Sequence, residues 1–124
     1  MIITNHLISA MSYSEALVDK VREALVEQVD VVEKKMFQGL VFMVNGKLCV
    51  GVRNDEILFR IDPGVAVKAL ERIGTRAMIS NGRIMKGYVF VSKEGYKRNE
   101  DFQYWILHAL DFNKYARASK KREK

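Results

Sequence analysis

Two tight-turn signals, Asn45-Gly46 and Asn54-Asp55, lie close together in the stretch 35–60 and constrain the fold more than any other feature. Asparagine followed by glycine or aspartate tolerates the left-handed backbone that two-residue hairpin turns require. Residues typical of β-strands flank both signals, so we predict three consecutive strands near 34–44, 47–53 and 56–61. Such a meander needs helices to cover one of its faces.

Helical patterns precede and follow this meander. Ser12 with Glu15 forms a capping box, and Asp62-Pro63 places an N-cap before a proline in the first turn. The predicted elements around the meander are a first helix to about Gln28, a second helix ending at Gly74, strands near 76–80 and 86–92 around Asn81-Gly82, and a last helix capped by Asn99. The predicted class is α+β, a two-layer fold with one antiparallel sheet and helices on one face, in the order α-β-β-β-α-β-β-α.

The composition indicates one globular domain. The chain has 124 residues, of which 48% are hydrophobic and 29% charged, with a net charge of +6. No apolar run reaches the roughly 18 residues that a membrane span needs, and the N-terminus lacks the features of a secretory signal. The single cysteine, Cys49, agrees with a reducing compartment. We therefore expect a cytoplasmic protein without a membrane association.

The predicted organisation is a flexible extension at 1–11, a single domain at 12–118 and a basic tail at 119–124. The sequence leaves open whether translation starts at Met1 or Met11.

Regular two-residue turns fix a register for the three strands. Residue 44 would pair with 47 and 42 with 49, and 53 would pair with 56 and 50 with 59. The face that we expect the helices to cover then carries Val41, Met43, Leu48, Val50, Val52, Ile57, Phe59 and Ile61. The opposite, outer face carries Leu40, Phe42, Val44, Lys47, Cys49, Gly51, Arg53, Glu56, Leu58 and Arg60. This outer face is either partly covered by the remaining helix or tail, or an interaction surface for a second copy or a partner.

Several motifs resemble the N-terminal domain of the TfoX/Sxy competence regulators, from about Tyr13 to Ala116. The matching pieces are Lys35-Met36-Phe37 with Gly39, Phe42-Met43-Val44-Asn45-Gly46-Lys47, Leu58-Phe59-Arg60, Gly82-Arg83, Met85-Lys86-Gly87-Tyr88-Val89 and the aromatic pair Tyr104-Trp105. The resemblance implies a two-layer α/β domain similar in topology to type III secretion chaperones, which dimerise and bind extended partner segments. Competence regulators of the family carry a second, helical domain after this one, so we expect a stand-alone N-terminal module.

The sequence offers no pattern typical of catalysis. His6, His108 and Cys49 are too far apart in the chain to suggest a metal site, and no serine lies in a nucleophile turn. The segment Gly82–Gly87 has the outer glycines of a phosphate loop but lacks its lysine and hydroxyl residue. We therefore expect no enzyme activity, no cofactor and no metal.

The first functional hypothesis is a regulatory or protein-interaction module that binds an unknown protein partner, or a second copy of itself, through the outer sheet face. Its candidate contact residues are Phe42, Arg53, Leu58, Arg60 and, from the family-like motif, Lys35.

The alternative is a nucleic-acid-binding module that uses the basic second hairpin and the tail. Its candidates are Arg76, Arg83, Lys86, Lys93, Lys97 and Arg98, which are interleaved with Tyr88, Phe90 and Tyr96. The same cations would also suit a solvated edge that prevents aggregation.

Overall fold

The computed structural model describes residues 13–118, which form a single six-stranded antiparallel sheet with helices packed on it. Its elements are α1 (Glu15–Ala24), β1 (Val31–Met36), β2 (Gly39–Val44), β3 (Lys47–Arg53), β4 (Glu56–Arg60), α2 (Pro63–Ala69), β5 (Thr75–Ser80), β6 (Arg83–Val91), α3 (Lys93–Tyr96) and α4 (Asn99–Asn113). The strand order across the sheet is β1-β2-β3-β4-β6-β5. The predicted α+β class is confirmed.

The first predicted strand is in fact two strands joined by a tight turn at Phe37 and Gln38. Both residues have a positive φ, 55° and 61°, although neither is a glycine. The next residue must be small, because a Cβ atom on Gly39 would lie 2.2 Å from the Val52 carbonyl oxygen. A turn made without Asn-Gly chemistry carries no sequence signal, which is why the prediction missed it.

A β-bulge in β3 overturns part of the predicted register. The Asn45-Gly46 turn pairs Val44 with Lys47 as expected, but Phe42 then lies opposite Val50 instead of Cys49. This extra residue exchanges the two faces of β2 relative to the prediction. Phe42, with Leu40 and Val44, belongs to the core under the helices, and its side chain is fully buried. The prediction that Phe42 lies on the outer face was wrong.

The main core lies between the sheet and the helices. Leu17, Val18 and Val21 of α1 and Phe102, Trp105 and Ile106 of α4 are buried against the inner face of the sheet. The single tryptophan, Trp105, stacks on Phe59 with the ring centroids 5.7 Å apart and donates a hydrogen bond to the Gly95 carbonyl.

The predicted helix boundaries hold only in part. Asp62 caps α2 by accepting a hydrogen bond from the Gly64 amide at 2.7 Å, as predicted. The first two helices are shorter than expected, and Val29 and Ile73 are exposed. Ser14 caps α1, whereas the predicted cap Ser12 lies outside the described residues.

The C-terminal part of the described chain differs from the predicted boundaries in two more places. The short helix α3 was not predicted, and α4 begins at Asn99 with Arg98 in the N-cap position. The predicted extension at 1–11 and basic tail at 119–124 lie outside the described part of the chain.

The C-terminal end of α4 is attached to the Asn45-Gly46 turn. The Asn113 side chain is buried, donates to the Val44 carbonyl at 3.0 Å and accepts from Asn45 at 3.1 Å. Lys47 donates to the main-chain carbonyl of Asn113 at 2.6 Å, where a cation also suits the negative end of the helix dipole. These contacts fix α4 across the sheet.

Candidate partner-binding surface

The outer sheet face, on the side away from the helices, has an apolar floor. Leu58 of β4, Phe90 of β6 and Met78 of β5 form a small second cluster of buried side chains. Met85 and Tyr88 pack against that cluster and are partly buried. The register explains the grouping, because Leu58 lies opposite Phe90 and alternate residues of a strand share a face.

Arginine side chains, rather than a helix, cover this floor. The guanidinium carbon of Arg76 lies 4.3 Å from the Phe90 ring centroid, and that of Arg53 lies 4.7 Å from the same centroid. Arg60 lies 5.3 Å from the Tyr88 centroid. Each such cation–π contact contributes about 0.5–1 kcal/mol at an exposed site. Planar guanidinium groups stacked on rings leave their N–H edges free for anions.

The charges on this face do not balance. Glu56 accepts two hydrogen bonds from Arg76, at 2.6 and 3.2 Å, and so neutralises that residue. Arg53 and Arg60 have no carboxylate partner among the residues that the structure describes. Arg53 forms no ion pair with Glu56, although the two residues are opposed in the register, because the Glu56 carboxylate turns to Arg76 on β5.

The predicted partner contacts lie in different environments. Arg53 is half-buried on the outer face, as predicted, and Leu58 is on that face but only 3% exposed. Arg60 is also half-buried, but its guanidinium reaches the helix layer as well, where it lies 5.8 Å from the Phe112 ring centroid of α4. Lys35 is exposed on the edge strand β1 and pairs with Leu40, a residue of the inner core. Phe42 is buried in that core and cannot contact a partner.

Met36 and Phe37 were missed as candidates for this surface. They are 38% and 43% exposed and line a small depression together with Val41, Leu58 and Phe90. The depression has a volume of about 10 Å³, which is room for a single water. Nothing in the sequence pattern indicated that the turn at Phe37 would bring these side chains onto the outer face.

The predicted nucleic-acid candidates do not form one patch. Arg83 and Lys86 lie near the turn of the second hairpin, whereas Lys93, Lys97 and Arg98 follow the opposite end of β6. Nine residues of strand separate these ends by roughly 30 Å. Arg98 pairs with Glu100, and Arg76 is occupied by Glu56.

The aromatic residues predicted to alternate with those cations do not offer a stacking platform. Phe90 and Tyr96 are buried, and the Tyr96 hydroxyl donates to the Asp55 carbonyl at 2.8 Å. Burial, with smaller contributions from Asp55 and Glu56, raises the pKa of Tyr96.

The residues with catalytic potential are placed as structural residues. Burial raises the pKa of the Cys49 thiol to about 12, which leaves it protonated and unreactive at neutral pH. His108 packs against Tyr104 on α4, with the ring centroids 4.5 Å apart. Among residues 13–118, no group of three or more His, Cys, Asp or Glu could hold a metal ion. His6 lies outside that range.

The fold and this surface together define a small α+β domain with an arginine-covered sheet face. The TfoX N-terminal domain family model matches residues 23–113, which is most of the chain. The chain therefore belongs to the TfoX N-terminal domain family, which is linked to competence regulation. Neither the curated proteins nor the solved structures include a match to this chain. No helix in the described part of the chain is long and apolar enough to cross a membrane.

Proposed function

We propose that this chain is a non-enzymatic regulatory module that binds an acidic surface of a partner protein through its outer sheet face. The observation that carries the proposal is the pair of guanidinium groups, Arg53 and Arg60, held over aromatic rings without carboxylate partners among the described residues. A guanidinium that is held on a ring loses less side-chain entropy when it binds a carboxylate. Membership of a family of regulators supports the regulatory part of the proposal.

The shape of this face favours a protein partner over a small molecule. Its depression next to Phe37 holds no more than a water, whereas small-molecule sites are clefts of roughly 300–1,000 Å³. Exposed Met36 and Phe37 provide apolar contacts beside the arginines. Apolar and aromatic residues mixed with arginine are typical of protein interfaces.

The same charges argue against a homodimer through this face. A two-fold contact would bring identical surfaces together, so that Arg53 and Arg60 of one copy would face the same cations of the other. Like charges opposed across an interface are unfavourable. The loss of Phe42 from the surface also removes the largest apolar contact that a dimer was predicted to use.

The test is site-specific photocrosslinking in cells of the native host, with a photoreactive residue in place of Phe37, which is exposed beside Arg53. We expect a discrete protein adduct that resists nuclease and is lost when Arg60→Glu is added. The matched control carries the photoreactive residue in place of Lys93, which is exposed beyond the far end of β6. Adducts from both positions alike, or no adduct from position 37, would contradict the proposal.

Nucleic-acid binding is tested separately with labelled DNA and RNA at two salt concentrations. We expect no binding at physiological salt, because the cations of the second hairpin region are split between two ends of β6. Tight, salt-sensitive binding that is lost in a Lys93→Glu and Lys97→Glu double variant would instead assign the function to nucleic acid.

A further inference from the structure

The two edges of the sheet differ in how well they are protected. Strand β1 at one edge carries Glu33, Lys34 and Lys35, and a run of charges on an edge strand blocks pairing with another chain. Strand β5 at the other edge carries one charged residue, Arg76, whose guanidinium is held on the outer face by Glu56 and Phe90. Of the described strands, β5 pairs only with β6, so every second backbone N–H and C=O points outward.

An apolar groove runs beside this open edge, between α2 and the β5–β6 hairpin. Its volume is about 370 Å³, and its walls include Val67 and Leu70 of α2 and Ile84 and Met85 of β6. Val67 is 72% exposed and Ile84 63% exposed. Ile79 of β5, which pairs with Ile84, is 64% exposed. Large aliphatic side chains concentrated at one open edge are typical of an interaction site.

The elements that border the groove are uniformly positive. Their charged residues are Lys68 on α2, and Arg83 and Lys86 on β6, whereas Arg76 on β5 is neutralised by Glu56. The three elements themselves contain no carboxylate. Lys86 lines the groove itself. Charge complementarity therefore calls for an acidic occupant and disfavours a second copy of the same positive edge.

We infer that β5 accepts an extended acidic segment of another protein as an added seventh strand. Backbone hydrogen bonds to β5 provide the pairing, and alternate side chains of the segment fall on opposite faces of the sheet. Those on the helix side are apolar and pack on Ile79, Ile84 and Val67 over the groove. The side chains that alternate with these apolar ones are carboxylates, which the surrounding cations attract. This site borders the outer-face surface, because Met85 and Tyr88 line the groove and also pack on the outer cluster. Pairing on β5 needs neither Arg53 nor Arg60, so the inference stands whether or not the proposed function holds.

The test is an NMR titration of the ¹⁵N-labelled full chain with a capped synthetic octapeptide that alternates valine or isoleucine with glutamate. We expect shifts centred on the amides of Thr75–Ser80, and binding that weakens with added salt. Two control peptides, one with lysine for glutamate and one with N-methyl groups on alternate amides, should not bind. The inference is overturned if the peptide does not bind at 1 mM, a dissociation constant that corresponds to a binding free energy of about −4 kcal/mol. Equal binding of the lysine peptide also overturns it.

A pair of edge variants locates the site. Ile79→Lys should weaken binding roughly ten- to hundredfold, the range for losing one buried aliphatic side chain. Val32→Lys is the matched control, because Val32 is a 48% exposed aliphatic residue on the other edge strand. Both positions are exposed, so both variants should fold. Shifts that map to Arg53 and Phe90 would overturn the edge assignment, as would a chain dimer that Ile79→Lys dissociates.

Discussion

Phe42 provides the sharpest test of the bulge that decides which residues face the helices. In the structure its side chain is fully buried in the main core, so Phe42→Ala should cost about 3–5 kcal/mol, the usual range for a buried phenylalanine. The neighbouring Met43 is only partly buried and, because successive residues of a strand face opposite sides, it lies on the outer face. Met43→Ala should cost about 1 kcal/mol, the centre of the distribution for point variants.

The assay is urea unfolding followed by the fluorescence of the single tryptophan. Trp105 is 1% exposed and stacked on Phe59, so its emission reports the packing of α4 on the sheet. For a urea dependence of about 2 kcal/mol per molar, a loss of 4 kcal/mol lowers the midpoint by about 2 M. Met43→Ala should lower it by about 0.5 M on the same scale.

The alternative register makes the reverse prediction. Without the bulge, Phe42 would stand on the outer face and Met43 in the core, as the turn signals alone suggested. A larger midpoint loss for Met43→Ala than for Phe42→Ala would therefore refute the placement of the bulge at Cys49. An equal, small loss for both would refute the assignment of Phe42 to the core.

Four further predictions concern three residues of the framework. Asn113→Ala removes two side-chain hydrogen bonds at the end of α4 and should lower the free energy of unfolding by about 2–3 kcal/mol in the same urea assay. A loss below about 0.5 kcal/mol would show that water replaces these hydrogen bonds. Cys49 should react with a thiol reagent at pH 8 only as the chain unfolds, and labelling of the native chain within seconds would contradict its burial. The folded-state pKa of this thiol is raised above its ordinary value, so its contribution to the free energy of unfolding is complete below about pH 9 and is lost as the pH rises toward 12. Calorimetry should therefore show that the stability of Cys49→Ala declines less steeply over this pH range than that of the unmodified chain. An unchanged decline would contradict the raised pKa. Gly39→Ala should cost several kcal/mol by thermal unfolding, since its Cβ would meet a carbonyl oxygen at 2.2 Å, and a near-native midpoint would contradict this close approach.

Turns with their own local chemistry were predictable from the sequence. Asn45, Asn54 and Asn81 all adopt a positive φ, between 52° and 56°, at the places where asparagine signalled a hairpin. Because the β3–β4 turn is regular, the predicted pairing of Arg53 with Glu56 and Val50 with Phe59 is confirmed. This regular pairing is also why the sequence placed Arg53 on the correct face.

Features set by tertiary packing were not predictable. Phe37 and Gln38 form a turn without turn residues, because the packing of Gly39 against Val52 determines where β2 begins. The bulge at Cys49 has no local signal either, since Phe42 and Met43 are both apolar and would suit either face. One unpredicted residue in β3 was therefore enough to exchange the two faces of β2 and to remove Phe42 from the candidate surface.

The distribution of the core explains why the two proposed surfaces can be altered without unfolding the chain. The large cluster between the sheet and the helices contains Trp105, Phe42 and Phe59, whereas the outer cluster centres on Leu58, Met78 and Phe90. The arginines over Phe90 and the isoleucine on the open edge lie outside the large cluster, so their individual contributions to stability are about 1 kcal/mol or less. Charge changes at Arg53 and Arg60 and the Ile79→Lys change should therefore affect binding far more than folding, whereas comparable changes at Phe42 should affect folding first.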